Sequence, residues 1–251
     1  MISVAAAGRR DRLAAPVVRL ASVDSTQRVA WEAAEAGAAD GTVVLADEQT
    51  AGRGRRGDTW VAPPGTSLLA SIVLRPALAP GRLPLLSYAA ALAVGDALQR
   101  VAALPSRLKW PNDVRASGGK IAGILLEARG DRRPVTVVGI GINLAQRAFP
   151  AHLAGATSVA RETGVVPDRD ALLAALRDAL ETWRATLERE GFEPLRRTWL
   201  ARAETIGRAV SVGGRTGMAV DLDSDGALVL ETPQGVARVF AGSPVEQDAV
   251  R

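Results

Sequence analysis

The chain has 251 residues, of which 47% are hydrophobic and 23% charged, and a formal net charge of +4. That composition excludes global disorder. No apolar run approaches the ~20 residues a membrane helix needs, and the small basic excess is spread along the chain rather than gathered into a nucleic-acid arm. There is no cysteine, so disulfides, thiolate metal sites and cysteine nucleophiles are excluded. The opening stretch MISVAAAGRRDRLAAP lacks the apolar core of a secretory signal, which leaves a cytoplasmic enzyme or binding protein as the expected class. The length suits one sizeable domain with a small appendage.

In chain order, residues 17–21 read as a short strand. The segment SVDSTQRVAWEAAEAG then places Asp24 or Ser25 as the cap of an alanine-rich helix ending near Gly37. TVVLADEQ starts with an almost continuous apolar run, the mark of a strand buried on both faces. SLLASIVLRP is a further strand, stopped by Pro76, and LPLLSYAAALAVGDALQRV is a core helix. SRLKWPNDV is a brief strand running into a Pro–Asn–Asp turn. GGKIAGILLEAR and VTVVGIGINL are two more strands. Residues 170–190 form a long amphipathic helix with Leu172, Leu173, Leu176, Leu180, Trp183 and Leu187 on one side, and a shorter helix covers about 194–202. From about Thr205 short strands alternate with Gly-rich turns, predicting a small β-barrel or sandwich. A domain boundary near 203 follows, dividing the chain into 1–202 and 203–251.

Chemistry concentrates in a few places. In DEQTAGRGRRGDTW, residues 47–60, arginines interleave with glycines. Glycine lets backbone amides approach an anion as a nest, and arginine adds forked donors for carboxylates and phosphates. Trp60 is available to stack over what is held. The loop is neither a P-loop nor a dinucleotide fingerprint; by itself it suits a phosphorylated ligand and a nucleic acid equally. Of 31 basic residues only Lys109 and Lys120 are lysine, and asparagine occurs only at Asn112 and Asn143. An ammonium is a compact point charge that arginine does not replace at a reacting centre. Codon bias is the plainer explanation of the lysine scarcity, a helix cap that of Ser25, a frayed strand end that of Lys120. The single histidine, His152, lies outside every motif and reads as structural or superficial.

Taken together and in order, EQTAGRGRRG…W, LKWPNDV, GGKIAGILLE and GIGINL resemble the biotin protein ligases, from about residue 17 to the terminal barrel. The resemblance implies an α/β (α+β) fold: a catalytic domain like that of class II aminoacyl-tRNA synthetases with an SH3-like C-terminal domain. It implies that biotin and ATP, with Mg2+, form biotinyl-5′-AMP. The biotinyl group then passes to a lysine of a biotin carboxyl carrier protein such as that of acetyl-CoA carboxylase. By the same resemblance Ser25, Thr26, Gln27 and Gln49 line the biotin end, with Arg53, Gly54, Arg55, Lys120 and Gly123 completing it. Trp60, Lys109, Asn112, Lys120 and Asn143 fall near the adenylate, and Lys120, Arg55 and Asp113 are the catalytic candidates. Asp113 helps to place magnesium or to accept the proton of the incoming lysine; no metal ligands are assigned. Two positions depart from the family pattern: Gln27 stands where asparagine is usual, and Asp58 where a basic residue is common. Too few residues precede the first strand for the DNA-binding domain some relatives carry, so no DNA partner and no membrane are expected, and the chain is expected as a monomer or weak homodimer. The alternatives are a lipoate or octanoate ligase of the same fold, a non-enzymatic biotin-dependent protein, and a nucleic-acid-binding regulator.

Overall fold

The computed structural model describes residues 9–130, 134–240, 242 and 244–246; the outer ends of both expected domains lie outside them. Within this span the elements run α1 (Arg9–Leu13), β1 (Val17–Val23), α2 (Thr26–Glu35), β2 (Val43–Gln49), β3 (Ser67–Leu74), α3 (Leu86–Ala102), β4 (Arg107–Lys109), β5 (Asp113–Ala116), β6 (Gly119–Arg129) and β7 (Val135–Asn143). There follow α4 (Val159–Thr163), α5 (Arg169–Glu190), α6 (Glu193–Arg202), β8 (Ala209–Val212), β9 (Arg215–Leu222), β10 (Leu228–Thr232), β11 (Gly235–Val239) and β12 (Val245–Glu246). The first seven strands form one sheet in the order β1-β2-β3-β7-β6-β5-β4. Only β1 and β2 pair in parallel, joined through α2; the other neighbours are antiparallel.

The side-chain period of two gives this sheet two different faces. Leu68, Ala70, Ile72, Ala122, Ile124, Ile140 and Ile142 point to one face, where α3 supplies Ala89, Leu92, Ala93 and Val94 to the main core. Because α3 lies between the sheet and α5, it is apolar nearly all round, as its sequence predicts. The other face is only half covered. There α2 lays Ala30, Trp31 and Ala34 against Val44, Val73 and Val137, and its N-terminus stops short of the upper part of the sheet. What remains uncovered is a shallow floor bearing Leu69, Ser71, Gly123, Gly139 and Gly141.

The long helix α5 is capped by Asp168, whose Oδ1 accepts from the amides of Asp170 and Ala171; those two bonds hold its carboxyl below the usual range. Its inner face carries Leu172, Leu173, Leu176, Leu180 and Leu187 as expected, while Trp183 is partly buried and donates from Nε1 to Asp96 Oδ2 at 2.7 Å. The last strands form a second, antiparallel sheet in the order β11-β10-β9-β8-β12, the expected small β unit. Strands β8 to β11 are separated by short turns, as the alternation predicts; β12 spans two residues, too few to carry a pattern. This sheet adds Val210, Leu222, Leu228 and Leu230 to the main core. It is also fixed by hydrogen bonds: Tyr88 Oη donates to Gly226 O at 2.5 Å, and Trp110 N donates to Thr205 Oγ1 at 2.9 Å.

Candidate active site

The uncovered floor is the base of a cavity of about 180 Å³, and sheet register explains its contents. Asp113 pairs with Gly123, Gly123 with Gly141, and Gly141 with Leu69, so these four residues form one row across β5, β6, β7 and β3. Between the side chains at its two ends the row is flat, because its two middle members are glycines. The indole of Trp60 lies on that flat strip. A Cβ on Gly141 would come within 2.5 Å of the indole and one on Gly123 within 2.9 Å, so a side chain at either glycine would displace it.

One end of the cavity is neutral and rich in hydrogen-bonding groups. The N-terminus of α2 brings in Ser25, Thr26 and Gln27, all buried. Thr26 donates from both its amide and its hydroxyl to Gln49 Oε1, at 2.8 and 2.9 Å. Ser71 Oγ donates to Gln27 Oε1 at 3.1 Å. Ser25 occupies the N-cap position of α2, yet its side chain makes no capping bond, and its buried Oγ has no partner among the described residues. A plain cap therefore does not account for it. An unmet buried hydroxyl costs about 1–3 kcal/mol, which a ligand polar group at this end would recover.

The other end is cationic. Lys120 Nζ lies 2.6 Å from Asp113 Oδ1 and 5.9 Å from the ring centre of Trp60. The start of β6 is not frayed: Lys120 N donates to Gly155 O and Thr157 N to Lys120 O, at 2.8 and 2.9 Å. Arg55 is half-buried and donates to Asn112 Oδ1 at 3.4 Å. Burial above all, and then the charge of Arg56, push its guanidinium below the usual arginine range. A desolvated cation beside a second one is a site that an anion stabilises. Lys109, Asn112, Arg53 and Gly54 line the same cavity.

The loop closes on itself through part of its backbone. Gly54 N donates to Asp58 O, Asp58 N to Arg55 O and Trp60 N to Gly52 O, at 2.7 to 2.9 Å. These three amides are spent inside the loop, and the arginine side chains add forked donors at the cavity. Asp58 supplies the carbonyl that closes the turn, a backbone role indifferent to the departure in its side chain. Asn143 is buried and is not among the residues lining this cavity. Its Nδ2 donates to Thr157 O at 3.0 Å and its Oδ1 accepts from Gln146 at 3.3 Å; both ends of the amide are engaged in tying the end of β7 to the following segment. His152 is exposed, as anticipated.

Sequence reasoning missed Gly139, Gly141 and Ser71. The alternate glycines in VGIGIN, separated by two on one strand face, were a legible signal of close approach, as was a lone polar residue inside SLLASIVL. Among the described residues no three His, Asp or Glu side chains converge as metal ligands, and no helix is long and apolar enough to cross a membrane.

This geometry has close counterparts. Residues 20–144 match the model of the biotin/lipoate A/B protein ligase family, and residues 205–246 that of the biotin protein ligase C-terminal domain. The biotin–[acetyl-CoA-carboxylase] ligase of Paracoccus denitrificans is 43% identical over 245 residues, covering 89% of this chain and 99% of the relative. The corresponding ligase of Mycobacterium tuberculosis is 38% identical, covering 82% and 79% respectively. The solved structure of the Aquifex aeolicus biotin protein ligase in complex with biotin and ATP superposes with a TM-score of 0.82 at 29% identity, over 93% of this chain and 99% of that one. The chain belongs to the biotin/lipoate A/B protein ligase family, on the biotin protein ligase side.

Proposed function

We propose that the protein activates biotin with ATP and transfers it to a lysine of a biotin carboxyl carrier domain, as on acetyl-CoA carboxylase. The observation that carries this reading is the two-ended cavity. Ser25, Thr26, Gln27 and Gln49 form a neutral polar end suited to a ureido ring, which has two N–H donors and one carbonyl acceptor. Arg53, Arg55 and Lys120 form a cationic end suited to a carboxylate meeting a phosphate, with Gly54 and Gly123 admitting the ligand close to backbone. A lipoyl or octanoyl tail has no such donors and acceptors, so it would leave the polar end unmet at a cost of about 1–3 kcal/mol per group.

In the first step a biotin carboxylate oxygen attacks the α-phosphorus and pyrophosphate leaves. Two anions must approach, and Lys120 with Arg55 lowers their repulsion at the point where charge gathers. Lys109, Asn112 and Trp60 are assigned to the nucleotide side; Asn143 is assigned to holding the segment beside it. Among the described residues that line the cavity, the carboxylates are those of Asp113 and Asp58, and Asp113 is engaged by Lys120. The cavity therefore fits magnesium as an ion carried by the nucleotide's phosphates, the usual way that ion is held, and not as a protein-held metal. In the second step the carrier lysine attacks the acyl carbonyl, an amide forms and AMP leaves. A free lysine amine has a pKa of roughly 10.4, so its proton needs an acceptor, and Asp113 is the assigned one. Closure of the Arg53–Trp60 region shields the mixed anhydride from water.

On this reading residues 1–202 are the catalytic part and 203–251 the C-terminal part. The setting is the cytoplasm, with the chain a monomer or weak homodimer that needs neither DNA nor a membrane. The test is incubation with ATP, Mg2+, biotin and a carrier domain, read by mass spectrometry. One added biotinyl group on the carrier lysine is expected; lipoate in place of biotin should add nothing, and transfer of lipoate but not biotin would reverse the reading.

A further inference from the structure

Glu127 lies outside the cavity, yet its carboxylate organises the neutral end. It sits on β6 on the same face as Gly123, two-residue steps further along, paired with Val137. Its Oε2 accepts from Trp31 Nε1 at 2.6 Å and from Gln27 Nε2 at 3.2 Å. The same Gln27 nitrogen donates to Val137 O at 3.1 Å. A carboxylate and a backbone carbonyl are acceptors only, so both hydrogens of the Gln27 amide are claimed on that side. Its oxygen is thereby turned to the cavity, where it receives the Ser71 hydroxyl and stands 2.6 Å from where a Cβ on Gly139 would be.

Gln27 is 3% exposed and cannot trade one orientation for the other through water. We propose that Glu127 is a positioning residue for biotin selection: it fixes the Gln27 amide so that an acceptor, not a donor pair, faces the ureido N–H groups. This also gives a reason for glutamine at that position. Its side chain is long enough to reach both Glu127 and Val137 O while keeping its oxygen in the cavity. Arg53, 3.9 Å from the same Oε2, is a more distant and half-exposed partner. The inference rests on the biotin reading of the cavity.

The discriminating variant is Glu127→Gln, which keeps size and can still accept from Trp31 but can also offer a donor to Gln27 and permit its flip. Biotin-dependent pyrophosphate release by the wild-type protein is measured first, because its absence would count against the biotin reading itself. With wild-type turnover established, E127Q is expected to raise KM for biotin about tenfold or more while KM for ATP and the melting temperature stay close to wild type. Gln27→Ala should raise KM for biotin, and adding E127Q to Q27A should raise it no further, because there is no amide left to orient. Trp31→Phe, which removes the other donor to Glu127 but leaves the Gln27 bond, should leave KM for biotin near wild type. An E127Q protein with wild-type KM for biotin would overturn the proposal. So would E127Q and Q27A effects that multiply in the double variant, since Glu127 would then act by another route, such as Arg53.

Discussion

Lys120 and Asp113 face one another across the β5–β6 pair, Nζ to Oδ1 at 2.6 Å, beside the register shift at Val114/Arg115. The shift leaves Arg115 opposite Lys120 and Asp113 opposite Gly123, so the carboxylate meets a bare strand position and the lysine can reach across to it. The pair joins the two residues assigned to the two half-reactions, and each should fail differently. Lys120→Ala is expected to slow biotin-dependent pyrophosphate release by about two to three orders of magnitude with the fold retained by circular dichroism. Asp113→Asn should form adenylate but slow its transfer to the carrier. Single-turnover assays of each step check this, and near-normal adenylation by the lysine variant would contradict the assignment.

Gly139 should tolerate no side chain. A Cβ there would stand 2.6 Å from Gln27 Oε1, whose amide is held by three hydrogen bonds. Gly139→Ala is expected to cost about 1–3 kcal/mol of overpacking at the biotin end, read as a raised KM for biotin with KM for ATP little changed. A proportional rise in both constants would mean the glycine serves the sheet and not the ligand.

Much of this was legible in the sequence, and what was not has physical reasons. The long apolar and amphipathic segments that became α3 and α5 announce themselves by period, as did the Gly-punctuated strands of the C-terminal sheet. The motif residues Ser25, Gln49, Arg55, Lys109, Asn112 and Lys120 do meet in one cavity. Helices α1 and α4 are five residues each, too short for a period to show. The network through Glu127 joins β6 to α2 across about a hundred residues, and no local pattern encodes such a contact. The hydrogen bonds of Asn143 were not legible either, because strand-end position marks where a residue sits, not where its amide turns.

The arginine loop offers a proteolytic readout. Arg53 and Arg56 are exposed and Arg55 half-buried, so trypsin should cut within residues 53–56 of the free protein. Biotin with ATP is expected to slow that cleavage several-fold, as the arginines engage ligand anions. Equal cleavage rates with and without both ligands would argue that the loop does not close over them.

Tyr88 is the single tyrosine, so tyrosinate absorbance reports it alone. Burial above all raises its pKa well above 10.0, against a smaller opposing effect of the Trp110 N–H. An acid whose pKa is raised on folding contributes stability that is present below the unfolded value and lost as pH rises past it. The denatured chain should therefore ionise near 10 while the native protein stays phenolic there, and stability should fall above that pH. A native midpoint at or below the denatured one would contradict the buried Tyr88–Gly226 contact.

The ion pair of Arg184 with Asp40 is bidentate at 2.7 and 2.8 Å, and Arg184 is 2% exposed. Arg184→Ala strands the buried carboxylate and is expected to destabilise the fold by about 3–5 kcal/mol, measured by urea unfolding. A loss below about 1 kcal/mol would place the pair with ordinary surface bridges.

The central claim is that one cavity joins biotin to the α-phosphate of ATP. Exchange of labelled pyrophosphate into ATP, with and without biotin, tests it most directly because it needs no carrier and isolates the first step. Exchange that depends on biotin, and is not supported by lipoate or octanoate, is the expected result. Exchange supported by lipoate or octanoate and not by biotin, or none with any of the three, would contradict the account.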